Sequence, residues 1–514
     1  MRLSRRALLA AGGAVAVGAF GGCRRREPTS IPVDLSLRAD GRGVEVVNFG
    51  LPLPPEWLYD AADIRVVDRS GAELPSALGV IETFALGGSI RAVQVQTEVD
   101  FSAATSTTLF VEVGKRQGLT RPMVPIEETL LDPDGLQGPR VLAVLPADWL
   151  CDSLVAGPQV PAHRSGDYAA YDAAVERNFP GSLRYVNSPT FSHWLFDRTS
   201  TWYKQYTRTG AAKFLDAAYR AGNFVRVNTE LEGPDAGTFK LKGRDLKYVY
   251  PQAMHLHFLL SGDTRARAAA DKMAHFCLTT WDPRYRPELY TQPPPDADPE
   301  KDRLFWTTRN EAYSLLGIVH GWEMTGDVTY LRAIDRHIDA LAAHQAAPPD
   351  GRPADGSWRQ NWALYDPSET LLPGATSPWM TALLLAALGQ AFRVTFDPRI
   401  PEMIVRWCDF LDRKGFVSDA VPYYIVDCFG SESIPALPGD PPDSTAMHDM
   451  ELAHSMAMGI FFTRDRAQRA RFRKRFDALF ARGVQLDLNG PPRAYNWAFH
   501  ASSELIPLLQ SSRA

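Results

Sequence analysis

Two polar stretches open helical segments that are otherwise apolar, and both could carry acid–base chemistry. In the first, WTTRNEAYSLLGIVHGWEM, the polar residues Arg309, Asn310 and Glu311 share one turn. A cation and an amide at a helix start, where the macrodipole also favours negative charge, suit a carboxylate. We interpret Arg309 and Glu311 as candidate catalytic residues and Asn310 as a candidate substrate ligand. The alternative is an inter-helix salt bridge between Arg309 and Glu311.

The second stretch, STAMHDMELAHSMAMG, places His448 and Glu451 three residues apart, on one helix face. A histidine oriented by a carboxylate is a general base, so His448 is the first candidate for that role, with Glu451 beside it as a substrate contact. His-x-x-Glu could also hold a metal, but no third ligand is evident, so we expect no metal. His454, among methionines and alanines, is interpreted as a core residue.

Two further stretches offer histidine and tyrosine. In YVYPQAMHLHFLL, His255 and His257 are two apart and point to different sides of a helix, and His255 is the candidate that faces a cleft. In DAVPYYIVDC, a long loop contains Tyr423 and Tyr424. Either could donate a proton; we assign that role to Tyr423 and substrate contact to Tyr424. The alternative is that both only stack or pack.

Large aromatic residues recur near the starts of the same apolar segments. Sugar rings present an apolar face that stacks on indole, so this clustering predicts a saccharide cleft. Each residue taken singly is more typical of a core. The candidate substrate contacts are Trp306, Trp379, Tyr495 and Trp497, with Arg359 as a partner for substrate carboxylates.

These residues must be positioned by helical hairpins, which repeat through the second part of the chain. Pairs such as PQAMHLHFLLSGD/TRARAAADKMAHFC turn at Gly210, Asp263, Asp327, Asp397 and Asp465. The first helix of each pair is apolar nearly all round and the second is amphipathic, so we expect inner and outer helices. A last apolar segment pairs with GDYAAYDAAVERNF. The prediction for 166–514 is an (α/α)6 toroid whose inner helix starts line one mouth.

The first part of the chain has strand patterns instead. RAVQVQTEV alternates, and β-rich runs between Gly, Pro and Asp turns fill residues 31–115. We predict a β-barrel or sandwich there, then a Pro-rich linking region over 116–165. The fold class is therefore α+β multidomain, a β-barrel or sandwich domain followed by the toroid.

Composition excludes some functions. Of the 514 residues, 45% are hydrophobic and 22% charged, and the formal net charge of −5 comes without a basic, aromatic-rich stripe, so we expect no nucleic-acid partner. Apart from Cys23, the cysteines are Cys151, Cys277, Cys408 and Cys428. Their spacing fits no zinc motif, and it leaves their disulfide state open. The oligomeric state is also left open by the sequence.

The N-terminus predicts export. Residues 1–23 carry Arg2, Arg5 and Arg6 before a short apolar run that ends in FGGC. SRRALL resembles a twin-arginine signal and FGGC a lipobox with Cys23 as the lipidated residue. We expect a lipoprotein anchored to a bacterial membrane through Cys23, facing the periplasm or cell exterior. The alternative is cleavage to a soluble exported protein.

NFGLPLP, VVDRSGAELPS and GGSIRAVQVQ together resemble the N-terminal β-domain of bacterial exo-acting rhamnogalacturonan lyases. In that family a strand ends in a Gly/Pro turn, a G-x-x-L-P corner follows and a G-S-[IV]-[KR]-x-[VL] strand closes the unit. The resemblance implies a RIFT-barrel-like domain packed on an (α/α) toroid, and a polysaccharide lyase that cleaves a uronic-acid-containing glycan by β-elimination.

Such a reaction needs a cluster that neutralises the carboxylate, a base and an acid. Arg309, Asn310 and Glu311 would supply the first. His448 or His255 would supply the base, and a tyrosine the acid. Two rivals stay open: a glycoside hydrolase that pairs Glu311 with Glu451, Asp449 or Asp366, and a non-catalytic glycan-binding lipoprotein. No cofactor is expected for any of them.

Overall fold

The computed structural model describes residues 28–184, 188–284, 306–348, 351–360, 375–427, 447–488 and 492–512. The predicted export signal with Cys23 lies outside these residues, and so does Cys428. The lipid anchor and the signal therefore stay predictions. Within the described part of the chain, none of the helices has the length and hydropathy needed to cross a membrane.

The N-terminal region forms two antiparallel sheets with a shared apolar core. One sheet has the strand order β3-β6-β1-β7 and the other β2-β5-β4. The strands are β1 Thr29–Leu37, β2 Val44–Pro52, β3 Ile64–Val67, β4 Ser76–Thr83, β5 Ile90–Asp100, β6 Ser106–Val113 and β7 Val141–Val144. In β1, Ile31, Val33 and Leu35 are buried while the residues between them are exposed, as expected of a sheet with one buried face. β7 extends this sandwich into the region predicted to be a link.

The helical region has the predicted inner and outer helices. After the short α1 Ala147–Asp152, the outer helices are α2 Ala169–Ser182, α4 Ala212–Val227, α6 Thr264–Thr280, α8 Val328–Ala346, α10 Arg399–Lys414 and α12 Arg466–Gly483. The inner helices are α3 Arg198–Thr209, α5 Pro251–Ser261, α7 Thr308–Thr325, α9 Pro378–Thr395 and α11 Asp449–Phe462. Every residue of α5 is buried, which explains its apolar sequence on all sides.

The last segment closes the ring as two short helices, α13 Pro492–Phe499 and α14 Leu505–Ser512, where the sequence predicted one. α13 contacts α2, α3 and α11, so the sixth inner position joins the first. Pro507 accounts for the break, because proline has no N–H to bond the carbonyl four residues earlier, that of Ser503, and its ring clashes with that carbonyl. The (α/α)6 toroid is confirmed.

Two of the hairpin turns share one chemistry. Gly262 and Gly326 end inner helices with φ of 75° and 63°, a left-handed conformation that glycine adopts without a Cβ penalty. Asp263 and Asp327 follow, and their carboxylates accept from the backbone N–H groups two residues on, capping the outer helices. The Gly-Asp pairs in the sequence are thus the turn signals themselves.

The β-sandwich packs directly on α5. A Cβ at Gly50 of β2 would lie 2.0 Å from the carbonyl oxygen of Leu259, so only glycine permits this approach. Next to it, the side-chain N–H of Asn48 donates to the carbonyl of Ser261 at 2.8 Å. The sandwich therefore covers the carboxyl-terminal end of an inner helix and leaves the helix starts at the opposite mouth.

Three cysteines, Cys151, Cys277 and Cys408, are free and buried. Burial raises the pKa of the Cys151 and Cys277 thiols to about 12, so both are protonated and behave as small apolar residues.

Candidate active site

His448 lies at the start of α11 and is hydrogen-bonded to Glu451, the partner predicted from their spacing. Its Nδ1 is 2.7 Å from Oε2 of Glu451, and both side chains are almost fully buried. Because both residues lie in the first turn of one helix, the backbone itself fixes the pairing.

Two indoles pack on the imidazole. The rings of His448 and Trp379 are stacked with centroids 4.5 Å apart, and those of His448 and Trp497 are 4.7 Å apart. Two guanidinium groups lie over the same indoles, with Arg309 5.4 Å from the ring of Trp379 and Arg493 5.1 Å from the ring of Trp497. We call His448, Glu451, Trp379, Trp497, Arg309 and Arg493 the aromatic–basic cluster. It unites the starts of α7, α9, α11 and α13.

A small β-ribbon brings a tyrosine to this cluster. The strands β8 Ala375–Thr376 and β9 Val426–Asp427 pair antiparallel just before α9. The ring of Tyr424, which precedes β9, is 5.8 Å from that of Trp379 and 6.4 Å from that of His448. Ser377 donates to the backbone carbonyl of Tyr424 at 3.1 Å and holds this approach.

The surroundings of the His448–Glu451 pair disfavour the charged form of each of the two side chains. Burial, together with the charges of Arg309 and Arg493, lowers the pKa of His448 to about 3, and burial raises the pKa of Glu451 well above its usual range. Both shifts favour the uncharged forms, a neutral imidazole and a protonated carboxyl. Loss of one proton would leave a carboxylate that accepts from Nδ1–H, with the lone pair of Nε2 available as a base.

In the described part of the chain, no third His, Cys, Asp or Glu is close enough to His448 and Glu451 to complete a metal site with them. The pair is therefore better suited to moving a proton than to holding an ion.

Next to the cluster, Phe196 and Asp197 have φ of 68° and 51°, a conformation rare outside glycine. The Phe196 ring is 4.9 Å from Trp497, and its N–H donates to the hydroxyl of Tyr250 at 3.0 Å. Asp197 caps α3 by accepting from the Ser200 N–H at 3.0 Å. Backbone strain of this kind is typical of functional sites. Sequence reasoning missed both residues because neither is a glycine, the residue that usually signals a left-handed backbone conformation.

Glu311 faces away from the cluster, although it adjoins Arg309 and Asn310. Its Oε1 is 2.6 Å from Nδ1 of His337 on α8, and its Oε2 accepts from the indole N–H of Trp281 at 2.6 Å. The residue therefore braces α7 against its outer neighbours. The structure does not bring it together with His448, and the alternative of an Arg309–Glu311 bridge is not seen either.

His255 lies at the other end of the ring, against the β-sandwich. Its Nε2 is 2.9 Å from Oε1 of Glu82 in β4. The expectation that His255 and His448 share one mouth is wrong, because α5 is the inner helix on which the sandwich packs.

The remaining candidates divide between loops and core. Trp306 donates to the carbonyl of Pro283, and Arg359 bonds Asp355 at 2.8 Å within its own loop. Tyr495 packs on Phe499 with ring centroids 4.8 Å apart. Tyr423 adjoins Tyr424 in the sequence. Asn310 lies in the first turn of α7, where its backbone N–H donates to the side chain of Thr307, the residue that caps the helix. Of the predicted residues, the structure gathers His448, Glu451, Trp379, Trp497, Arg309 and Tyr424.

Fold and site together define an (α/α)6 toroid with a buried His–Glu pair inside an aromatic and basic mouth. No protein-family model matches the chain, and no curated protein sequence matches it. A solved structure of a UGL variant with the saccharide dGlcA-Glc-Rha-Glc shares 14% identity over 66% of this chain and 95% of that chain, with a TM-score of 0.45. The unsaturated glucuronyl hydrolase from Bacillus sp. GL1, described as responsible for glycosaminoglycan degradation, shares 16% identity over 60% and 84%, with a TM-score of 0.42. At these values neither likeness bears on the activity of this chain.

Proposed function

We propose that this protein is a carbohydrate-active enzyme, and specifically a polysaccharide lyase that cleaves a uronic-acid-containing glycan by β-elimination. The observation that carries the proposal is the His448–Glu451 pair stacked on Trp379 and Trp497. Indole faces suit sugar rings, and a carboxylate-supported imidazole suits proton transfer at carbon.

The pair can act without forming an imidazolium. When Nε2 of His448 takes the C5 proton of the uronate, its Nδ1 proton passes to Glu451, and both groups end neutral. The C5–H electron pair becomes the C4=C5 double bond, and the C4–O bond breaks toward the leaving oxygen. A proton donor completes the reaction, and we assign that role to Tyr424, whose ring lies 6.4 Å from the imidazole.

The substrate carboxylate needs a cationic partner so that the C5 proton becomes acidic. Arg309 and Arg493 lie over the two indoles of the cluster and supply that charge. The same charges lower the pKa of His448, so proton transfer to Glu451, rather than an imidazolium, is the favoured outcome.

The neighbouring carboxylates favour elimination over hydrolysis, which needs two carboxyl groups flanking the scissile bond. Glu451 is bonded to His448, and Glu311 to His337 and Trp281. Asp449 bonds Arg482 of α12 at 2.9 Å, on the outer side of α11. None of these three is placed to act as the second carboxyl group, and the fourth candidate, Asp366, lies outside the described residues.

The test is to incubate the purified protein with a panel of acidic and neutral oligosaccharides and follow the ultraviolet absorbance of a 4,5-unsaturated uronide. We expect an absorbance increase with an acidic substrate, and a fall in rate of about 10²–10⁴-fold in His448→Ala, the usual contribution of a general acid–base group. His275→Ala, at an exposed position of α6, is the matched control and should keep the wild-type rate.

Each other outcome excludes the lyase. Reducing sugar released without the absorbance change would identify a hydrolase. Saturable binding of a glycan with neither signal would identify a binding protein. We further propose that the enzyme is exported and anchored through Cys23, as the N-terminal sequence predicts.

A further inference from the structure

A second polar centre lies between the β-sandwich and the toroid, at the end opposite the aromatic–basic cluster. It lines a cavity that opens to solvent and whose walls include Arg91 from β5, His255 from α5, and His320 and Glu323 from α7. None of these side chains takes part in the proposed reaction.

Three of these residues have the arrangement of metal ligands. One ligand atom from each of His255, His320 and Glu323 lies within 4.8 Å of the other two. A zinc-type ion with bonds of about 2.0–2.2 Å separates its tetrahedral ligands by roughly 3.4 Å. Side-chain rotations that move the ligand atoms by about 1 Å would therefore close the site. Two imidazoles and one carboxylate are also a common ligand set of metals that keep an open position.

His320 is the observation that points to a ligand. The residue is 6% exposed and lines the cavity, yet neither of its ring nitrogens makes a hydrogen bond within the described part of the chain. Its Nδ1 lies 3.4 Å from Oε2 of Glu323. Buried imidazole nitrogens normally have partners, and a metal ion would satisfy this one.

Glu82 supplies the outer support that a metal-binding histidine usually has. It lies 2.9 Å from Nε2 of His255, which leaves Nδ1 of His255 as the nitrogen for an ion. Arg91 donates to Glu82 at 3.1 Å through one terminal nitrogen and to Glu323 at 3.4 Å through the other. Because the contact with Glu323 is the longer one, an ion can replace Arg91 there while Arg91 stays on Glu82.

We propose that His255, His320 and Glu323 bind a divalent transition-metal ion of the zinc type, oriented by Glu82, with an open coordination position facing the cavity. Glu82 and Glu323 are balanced by Arg91 and by Arg267, which is 3.2 Å from Glu82. The bound ion adds positive charge, so the open position favours an anionic ligand such as hydroxide or a carboxylate.

The experiment is a titration of the chelator-treated full chain with Co²⁺, whose visible d–d bands report nitrogen and oxygen ligation. We expect one equivalent to bind and Zn²⁺ to displace it. His320→Gln and Glu323→Gln keep side-chain size and should each weaken Co²⁺ binding at least tenfold. Glu82→Gln should weaken it about 10–100-fold, as expected when the support of a ligating histidine is lost.

Glu451→Gln is the matched control, because it alters the other His-x-x-Glu pair and should leave Co²⁺ affinity unchanged. Circular dichroism of each variant shows whether it is folded. Absence of d–d bands in the folded wild type would overturn the proposal. So would full affinity in folded His320→Gln, or loss of binding in Glu451→Gln.

Discussion

Two His-x-x-Glu pairs with the same spacing differ in their hydrogen bonding and in the direction in which the pKa of the carboxyl is shifted. His448 and Glu451, at the start of α11, are hydrogen-bonded at 2.7 Å, whereas His320 and Glu323, near the end of α7, are 3.4 Å apart and make no hydrogen bond. Burial raises the pKa of Glu451. Burial acts in the same direction on Glu323, but His320 and Arg91 outweigh it and hold that pKa well below its usual range.

The difference teaches that spacing places two side chains on one helix face, while the residues packed against that face decide their protonation. Indoles surround the imidazole of the first pair, and burial raises the pKa of its carboxyl. The second pair faces β5, where Arg91 contacts the carboxylate of Glu323.

The largest predicted effect is a loss of stability when Glu82, the carboxylate shared by three donors in the second polar centre, is removed. Glu82→Ala leaves His255, Arg91 and Arg267 without the carboxylate that each contacts. Breaking a buried pair in this way costs about 3–5 kcal/mol, so the free energy of unfolding in urea should fall by that amount.

Glu98→Ala is the control for this loss. Glu98 lies in β5, and its carboxylate is 58% exposed in an ion pair with Arg121 at 3.1 Å. An exposed pair contributes about 0–1 kcal/mol. Equal destabilisation by the two variants would show that the centre does not hold the sandwich on the toroid.

A smaller effect, on the catalytic rate, should follow from a change in the His448–Glu451 pair. In Glu451→Gln the Nδ1 proton of His448 has no carboxylate to receive it, so catalysis would form an imidazolium facing Arg309 and Arg493. We expect the rate to fall about 10²-fold, the low end of a general acid–base contribution.

The pH profile of the same variant tests the sign of the pKa shift. The base form exists only after the pair loses the proton of Glu451, and the pKa of that carboxyl is raised. The wild-type rate should therefore rise as pH rises through this value. Glu451→Gln has no such proton to lose, so its rate should be nearly flat over the same range. A rising limb that persists in the variant would assign the titration to another group.

Much of the fold could be read from the sequence because it rests on local signals. Turns at glycine or aspartate, and helices that are apolar on all sides, predicted the inner and outer rings. β7 was missed because its four residues, VLAV, lie among Pro-rich segments and pair only with the distant β1. The split of the last helix follows from Pro507, whose ring outweighs the continuous apolar pattern of the segment.

The site was predicted less well, for a geometric reason. Successive residues of a helix are rotated by about 100°, so Arg309 and Glu311 in one polar turn face different neighbours. The pattern shows that the turn is polar but not which member faces inward. Likewise, His255 was a sound candidate for an inner helix start, but its direction depends on where the β-sandwich docks, which no local pattern encodes.

The smallest predicted effect is a change in KM when the indole of Trp497 is removed. In Trp497→Leu the apolar character is kept, but the flat indole, which stacks on His448, is lost. If another part of the indole surface holds a sugar ring, KM should rise about two- to tenfold, equivalent to the 0.5–1.5 kcal/mol of an aromatic stacking contact, with kcat nearly constant. Trp57→Leu, which removes an indole 5.4 Å from Trp149 near the sandwich, should change neither constant.

The split between KM and kcat separates the two roles that Trp497 can have. A sugar platform acts equally on the ground state and the transition state, so its loss moves KM alone. A residue that holds the imidazole in place acts on proton transfer, so its loss would lower kcat and alter the pH profile that depends on Glu451. A fall in kcat with constant KM would therefore make the cluster a support for the His448–Glu451 pair, and the saccharide surface would have to be sought elsewhere along the mouth.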